Sequence, residues 1–268
     1  EGETIGDAAV YGNDRFFIDL RTEREHDAAH EAKLAALEAA GHPVVRIVMK
    51  SIDHIGQEFF RFEMATTVAG ALLGIDPFDQ PDVESAKAAA RELLDAGMGA
   101  SDAPAFVDGA VEVRTAGPDF LAGADTLDAA LQALVGQLTP TGYLAVMAYL
   151  DRLADTELAA TRAPLESALE RPVTFGWGPR FLHSTGQYHK GGPANGVYLQ
   201  ITTVAGEDLA VPGRDFTFGQ FCDAQAGGDA SVLADHGRSV LRLHLADHDA
   251  GLKQVVAALT KMSGGEAR

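Results

Sequence analysis

From Arg171 to Gly206 the chain carries no Asp or Glu, although 39 of its 268 residues are acidic and its formal net charge is −18. What the stretch does carry is Arg171, Arg180, His183, His189 and Lys190, set among glycines and hydroxyl residues. Its centre reads Arg180-Phe-Leu-His183-Ser184-Thr185-Gly-Gln187-Tyr-His189-Lys190-Gly-Gly-Pro193. On a strongly acidic surface such a patch concentrates an anion. Glycines let backbone N–H groups approach a phosphate or carboxylate closely. Arg180, Ser184, Thr185, Gln187 and Lys190 are therefore candidate substrate-binding residues. His183 and His189 are candidate proton carriers, because imidazole titrates near neutrality. A plainer reading stays open: a Gly-rich turn between two buried strands whose cations are merely solvated.

A second cation stands out at Lys87. It lies in a predicted helix behind Asp79-Gln80-Pro81, with Asp82 and Glu84 in the first turn. Proline and acids suit that end of a helix. Lys87 falls four after Val83 and three before Ala90, on the apolar stripe Val83, Ala90, Leu94. Either its stem snorkels to solvent, or its charge is held at a cleft for an anionic substrate.

Elements must place these groups. Arg15–Leu20 reads as a buried strand and Pro43–Met49 as a second strand rich in branched residues, with a helix over 23–40 closed by Gly41. Strand–helix–strand at this spacing is the parallel α/β signature. Gly56–Leu73 predicts a helix, apolar after Glu63 and expected to lie buried at the centre. The Gly, Pro and Asp content after residue 96 marks a linker, with a brief strand at Val111–Arg114. Beyond it, strands are expected at 143–150, 173–177, 197–203 and 240–245. Helices are expected at 126–138, 153–169, 218–236 (interrupted at Gly227-Gly228) and 252–262. The expected organisation is a parallel-sheet layer over 1–100, a linker over 101–124 and a second, smaller α/β domain over 125–268. In such sheets ligands sit beyond the carboxyl ends of strands, where the acid-free stretch follows the strand ending at Trp177.

Composition excludes several classes. A net charge of −18 argues against nucleic acid and anionic membrane as partners, since both need basic surface. Cys222 is the single cysteine, so no intrachain disulfide forms, and a reducing cytoplasm is the expected compartment. No apolar run reaches the roughly 18 residues of a membrane span, and no signal peptide is visible. The chain opens on Glu1, as expected of a piece of a longer polypeptide. Neither the phosphate-loop nor the dinucleotide fingerprint is present. His183 and His189 are poorly spaced for zinc. His236, His244 and His248 lie near Asp235, Asp247 and Asp249, which reads as surface rather than metal site. No nucleophile elbow precedes Ser184.

Two segments resemble a known family. Gly56-Gln-Glu-Phe-Phe-Arg-Phe-Glu63 with Ile75-Asp-Pro-Phe-Asp-Gln80-Pro-Asp-Val-Glu-Ser-Ala-Lys87 resembles the late part of bacterial glucose-6-phosphate isomerases. Arg180–Pro193 with Gly196-Val-Tyr-Leu-Gln-Ile201 is similar to the C-terminal region of the form fused behind a transaldolase. The resemblance implies a sugar-isomerase (SIS) type α/β fold, interconversion of glucose 6-phosphate and fructose 6-phosphate, and no metal or organic cofactor. It implies that Lys87 sits at the sugar ring oxygen and supports ring opening, and that Gln80 contacts substrate. It also implies partners, namely a sugar phosphate and the upstream half of the same polypeptide, and leaves open a second copy in a homodimer. Two departures follow. The family's general-base glutamate and phosphate-binding loops belong upstream of Glu1. Its ring-opening histidine would fall near Tyr11–Asp14, where Gly12 and Asn13 stand, so His183 or His189 is the expected substitute.

Overall fold

The computed structural model describes residues 5–25, 27–79, 81–95 and 103–265, apart from the side chains of His183 and Ser184. Gln80 and residues 97–102 of the expected linker lie outside the described residues. The chain divides into two compact units, which meet in sequence at Pro81 rather than at the expected residue 100.

In the first unit, β1 (Phe17–Thr22) and β2 (Val44–Met49) pair in parallel, Phe17 beside Val44 through Thr22 beside Met49. Between them runs α1 (Ala28–Ala39), capped by the Asp27 carboxylate on the N–H groups of Ala29 and His30. Leu34 and Leu37 are its buried residues, as the sequence spacing predicts. Asp19 is buried, and its carboxylate meets Arg21 Nε at 3.1 Å and His30 Nε2 at 3.0 Å. A buried charge needs such partners.

The helix α2 (Ile55–Leu73) forms as expected, but it is not buried at the centre. Phe60 is 66% and Leu72 84% exposed, and only Glu58 and Gly70 are buried. The unit holds two strands and two long helices, too little surface to cover a second apolar helix.

The second unit opens with α3 (Pro81–Asp95), followed by β3 (Phe106–Asp108), β4 (Val111–Ala116), α4 (Leu127–Val135) and β5 (Tyr143–Ala148). Then come α5 (Thr156–Ala160), α6 (Arg162–Leu169), β6 (Val173–Trp177), α7 (Phe181–Ser184), α8 (Gly186–Gly191) and β7 (Gly196–Thr203). It closes with α9 (Phe218–Asp235), β8 (Ser239–Leu245) and α10 (His248–Met262). The six strands lie in the order β3-β4-β8-β7-β5-β6. β5 to β8 are mutually parallel, and β4 and β3 are antiparallel additions at one edge. The fold is thus mixed α/β with parallel-dominated sheets.

Alternation along β5 separates two cores. Leu144, Val146 and Ala148 pack with Leu131 of α4, Leu165 of α6 and Val255 of α10. Tyr143, Ala145 and Met147 face the other way, toward Phe181 of α7 and Ala230 of α9. A parallel sheet covered on both faces buries its central strands completely, and every residue of β5 is buried.

Four expectations need correction. Residues 106–116 are not linker, because β3 and β4 complete the sheet edge. The helix expected over 153–169 breaks at Thr161, whose hydroxyl donates to the Leu158 carbonyl; Pro164 then sits in the first turn of α6, where its missing N–H is harmless. Residues 180–193 are not an open loop but the short helices α7 and α8. The helix α9 runs straight through Gly227-Gly228.

Those glycines serve packing. A Cβ on Gly228 would lie 2.8 Å from both the Ala86 carbonyl oxygen and the Ala90 nitrogen of α3, and one on Gly227 2.8 Å from Leu93 Cδ1. The backbones of α3 and α9 therefore touch, and this is why α3 belongs to the second unit. Gly228→Val is expected to cost about 1–3 kcal/mol through overpacking, read as a lower midpoint in urea. An unchanged midpoint would mean that the two helices can separate freely.

Candidate functional site

The strand β6 ends at Trp177 and the chain turns through a cis Gly178–Pro179 bond into α7. A Cβ on Gly178 would lie 2.7 Å from the Tyr149 ring. Tyr149 also stacks edge-on against Phe181 at 5.3 Å. These contacts pin the turn after β6 to the carboxyl end of β5.

The stretch then runs inward. His189 is 5% and Lys190 1% exposed. The His189 ring lies 5.8 Å from that of Tyr143 and 5.2 Å from that of Tyr198. The Tyr198 hydroxyl donates to the His189 carbonyl at 2.8 Å, so the Tyr143 hydroxyl, 3.0 Å away, is the donor in the second bond. Burial pushes the Tyr198 hydroxyl up to about 12. Burial and the adjacent Lys190 charge push the His189 imidazole down to about 4. This ring is neutral at physiological pH.

Lys190 ion-pairs with Asp229 of α9, itself 1% exposed. Burial pushes the Asp229 carboxyl up, and the ammonium opposes that shift. The Lys190 carbonyl accepts from Arg238 Nη2 at 2.8 Å and from His236 Nδ1 at 2.9 Å. The same guanidinium nitrogen donates to the Gly192 carbonyl at 2.8 Å. The acid-free stretch of sequence is therefore not acid-free in space. Its last cation is neutralised from α9, and the expected anion-attracting role of Lys190 gives way to a structural one.

A second acid arrives from α3. The Asp82 carboxylate accepts from Gln187 Nε2 at 2.6 Å and lies 3.4 Å from His236 Nε2. A Cβ on Gly191 would stand 2.5 Å from Asp82 Oδ2. Asp82 thus joins the segment Asp79–Lys87 to the segment Arg180–Pro193, roughly a hundred positions further along.

The remaining candidates fall as follows. Lys87 is partly exposed and pairs with Glu84 of its own helix at 2.6 Å. Arg180 is exposed, and Thr185 is exposed with its hydroxyl donating to the Phe181 carbonyl at 3.3 Å. Gln80 and the side chains of His183 and Ser184 lie outside the described residues. No group of His, Cys, Asp and Glu able to hold a metal occurs among the described residues. No helix among them is long and apolar enough to cross a membrane.

In sequence Asp82 reads only as a first-turn helix acid and His236 as surface, and neither Asp229 nor Arg238 is singled out. One signal was available for Asp229: it stands between Ala226, Ala230 and Leu233 on the buried face of α9, and an acid on such a face requires a partner.

Comparison with known proteins gives partial matches. Over 70 residues the chain is 47% identical to a probable glucose-6-phosphate isomerase of Halobacterium salinarum, covering 25% of this chain and 16% of that one. Over 73 residues it is 48% identical to the probable glucose-6-phosphate isomerase of Natronomonas pharaonis, covering 26% and 17%. A glucose-6-phosphate isomerase of Heliobacterium modesticaldum matches at 48% over 44 residues, 16% of this chain and 10% of that one. The matched stretch is thus under a fifth of these relatives' length. No protein-family model matches the chain. A hypothetical protein of Thermus thermophilus aligns with 91% of this chain and 55% of its own, at 14% identity and a TM-score of 0.45.

Proposed function

We propose that the chain is the carboxyl-terminal part of an enzyme that interconverts glucose 6-phosphate and fructose 6-phosphate. The observation that carries this reading is the Asp82–Gln187 contact. It links α3, the helix that carries Lys87, to α8, which lies in the Arg180–Pro193 stretch; both stretches resemble glucose-6-phosphate isomerases. The partial identity to named isomerases supports it.

Aldose–ketose isomerisation through an enediol needs three things: an acid at the ring oxygen, a base that moves a proton between C2 and C1, and stabilisation of the developing oxyanion. Lys87, held by Glu84 at the edge of α3, carries a charge to the ring oxygen. His183 shares the ring opening. Arg180, Ser184, Thr185 and Gln187 bind the sugar phosphate. His189 and Lys190, buried with Tyr198 and Asp229, hold that surface rather than touch substrate. The base and the phosphate loops come from the upstream half of the polypeptide.

The exposed apolar face of α2, with Phe60 and Leu72, favours a second reading, a dimerisation module without chemistry. Calorimetry with fructose 6-phosphate separates the two. Binding by the 268-residue chain is expected, weakened at least about tenfold in Lys87→Ala, the loss of one charge-assisted contact. A chain that takes up no sugar phosphate leaves only the module. In a coupled assay the chain alone is expected to turn over poorly and to gain activity when mixed with the upstream half. Full turnover by the chain alone would sink the claim that the machinery is divided.

A further inference from the structure

A separate polar chain lies on the opposite side of the six-stranded sheet from α8, at the carboxyl ends of its parallel strands. Asp155 follows β5, Thr203 is the last residue of β7, and His248 is the first residue of α10 after β8. Loops that follow parallel strands are where α/β proteins place reactive groups. By sequence alone His248 reads as a surface residue.

The three side chains are linked end to end. His248 Nε2 lies 3.0 Å from Asp155 Oδ1, and His248 Nδ1 lies 3.3 Å from the Thr203 hydroxyl. Asp155 is 3% exposed, and its other oxygen accepts the Asp151 N–H at 2.9 Å. A carboxylate can only accept, so the proton it takes is that of Nε2. Nδ1 is then left as the acceptor facing the hydroxyl. The Leu245 carbonyl, 3.4 Å from the same hydroxyl, is the more distant of its two acceptors. The imidazole is about one-third exposed, so this end of the chain is open to solvent.

One detail sets the arrangement apart from ordinary loop bonding. Asp155 occupies the N-cap position of α5 yet makes no capping bond to it. An Asp at that position ordinarily accepts from the first-turn N–H groups, which stabilises the helix by roughly 1 kcal/mol. Here the carboxylate turns away toward His248, and Asp151 fixes it there. Buried acid, imidazole and hydroxyl in that order are the signature of an activated nucleophile.

We propose that Asp155, His248 and Thr203 form a second reactive centre that accepts the acyl group of uncharged esters. The nearby acids Asp151, Asp247 and Asp249 and the net charge of −18 repel phosphorylated or carboxylated compounds, so a neutral acyl donor is the class that fits. In the first step the Thr203 oxygen bonds to the ester carbonyl carbon and the bond to the leaving alcohol breaks. The hydroxyl proton passes to His248 Nδ1 and then to the departing alkoxide. Water then enters by the same route, giving its proton to Nδ1, and releases the carboxylic acid, with Thr203 regaining its proton. Asp155 is the positioning residue, holding the ring in the tautomer that can accept.

This inference does not depend on the isomerase reading. It is tested with the full chain and p-nitrophenyl acetate, following nitrophenolate release and mapping acetylated peptides by mass. The expected result is acetyl on the peptide containing Thr203, and a release rate that falls at least about a hundredfold in Thr203→Val and in His248→Gln, the lower end of what a general base contributes. Thr203→Ser is the folding control and keeps the label. Asp155→Asn is expected to lower the rate and alter its pH profile, which mere tying of loops would not do. Acetyl confined to lysines and the amino terminus, or unchanged release in folded Thr203→Val, would overturn the proposal.

Discussion

Replacing Lys190 by methionine is expected to destabilise the second unit by about 3–5 kcal/mol, because it strands the Asp229 carboxylate in the core without its partner. Both residues are only 1% exposed, so water cannot replace the lost ammonium. Methionine fills much of the same volume, so the loss reports charge rather than a cavity. The double replacement Lys190→Met with Asp229→Leu is expected to recover most of it, since a well-packed apolar pair often matches a buried ion pair. Urea unfolding followed through Trp177, the single tryptophan, measures both. A single replacement that unfolds at the wild-type midpoint would contradict the pairing. A double replacement no better than the single would show that the lost stability came from shape.

Acid is expected to unfold the same region through His189. Its folded value is about 4 against an ordinary 6.5. Below 6.5 the unfolded chain takes up a proton that the folded chain refuses until about 4. The contribution of the neutral buried ring is therefore complete above 6.5 and is lost as pH falls toward 4, a span of about 3 kcal/mol. Asp223 acts in the opposite sense. Burial pushes its carboxyl up to about 6, so the folded state binds that proton first and gains as pH falls. His244, pushed down mainly by burial, adds to the slope from His189. The wild-type curve mixes these groups, so the informative quantity is the difference between wild type and His189→Phe. Phenylalanine keeps the ring between Tyr143 and Tyr198 without a titrating group. The difference should grow steadily from pH 6.5 down to 4; a flat difference would place His189 in contact with water.

These two expectations rest on contacts that no local reading supplies. The absence of Asp and Glu from Arg171–Gly206 suggests an exposed cationic patch. The chain instead turns inward after Thr185, so that His189 and Lys190 enter the core. The counter-charge of Lys190 comes from Asp229 on α9, and a second acid, Asp82 on α3, meets the same stretch through Gln187; both lie at other places in the sequence. The glycine pair at 227–228 invites the opposite error. Read locally it breaks a helix; set against α3 it lets two backbones touch.

Much else was legible. The runs Tyr143–Ala148, Val197–Thr203 and Val240–Leu245 are apolar because strands covered on both faces have no polar side to show; Phe17–Leu20 and Val44–Met49 are as apolar but, against the burial expected of Arg15–Leu20, leave Ile18, Leu20, Val45 and Val48 exposed in a two-stranded sheet. The expected end of α2 at Leu73 holds, with Gly74 as its left-handed cap, whereas α1 starts only at Ala28, behind the Asp27 cap, and not at residue 23. Lys87 shows the limit of periodicity. Its spacing puts it on the apolar stripe, yet it lies at the stripe's edge, where a short reach to Glu84 keeps its charge in water.

The amino-acid order alone settled most of the longer helices and strands, the apolar strands at the centre of the six-stranded sheet, and which two segments carry a resemblance, since each follows from side-chain chemistry within a few residues. Which charges meet, which helix belongs to which unit, and whether a cation faces a ligand or an acid were decided by folding. Those are pairwise energies between residues far apart in the chain, and no window of sequence contains both partners.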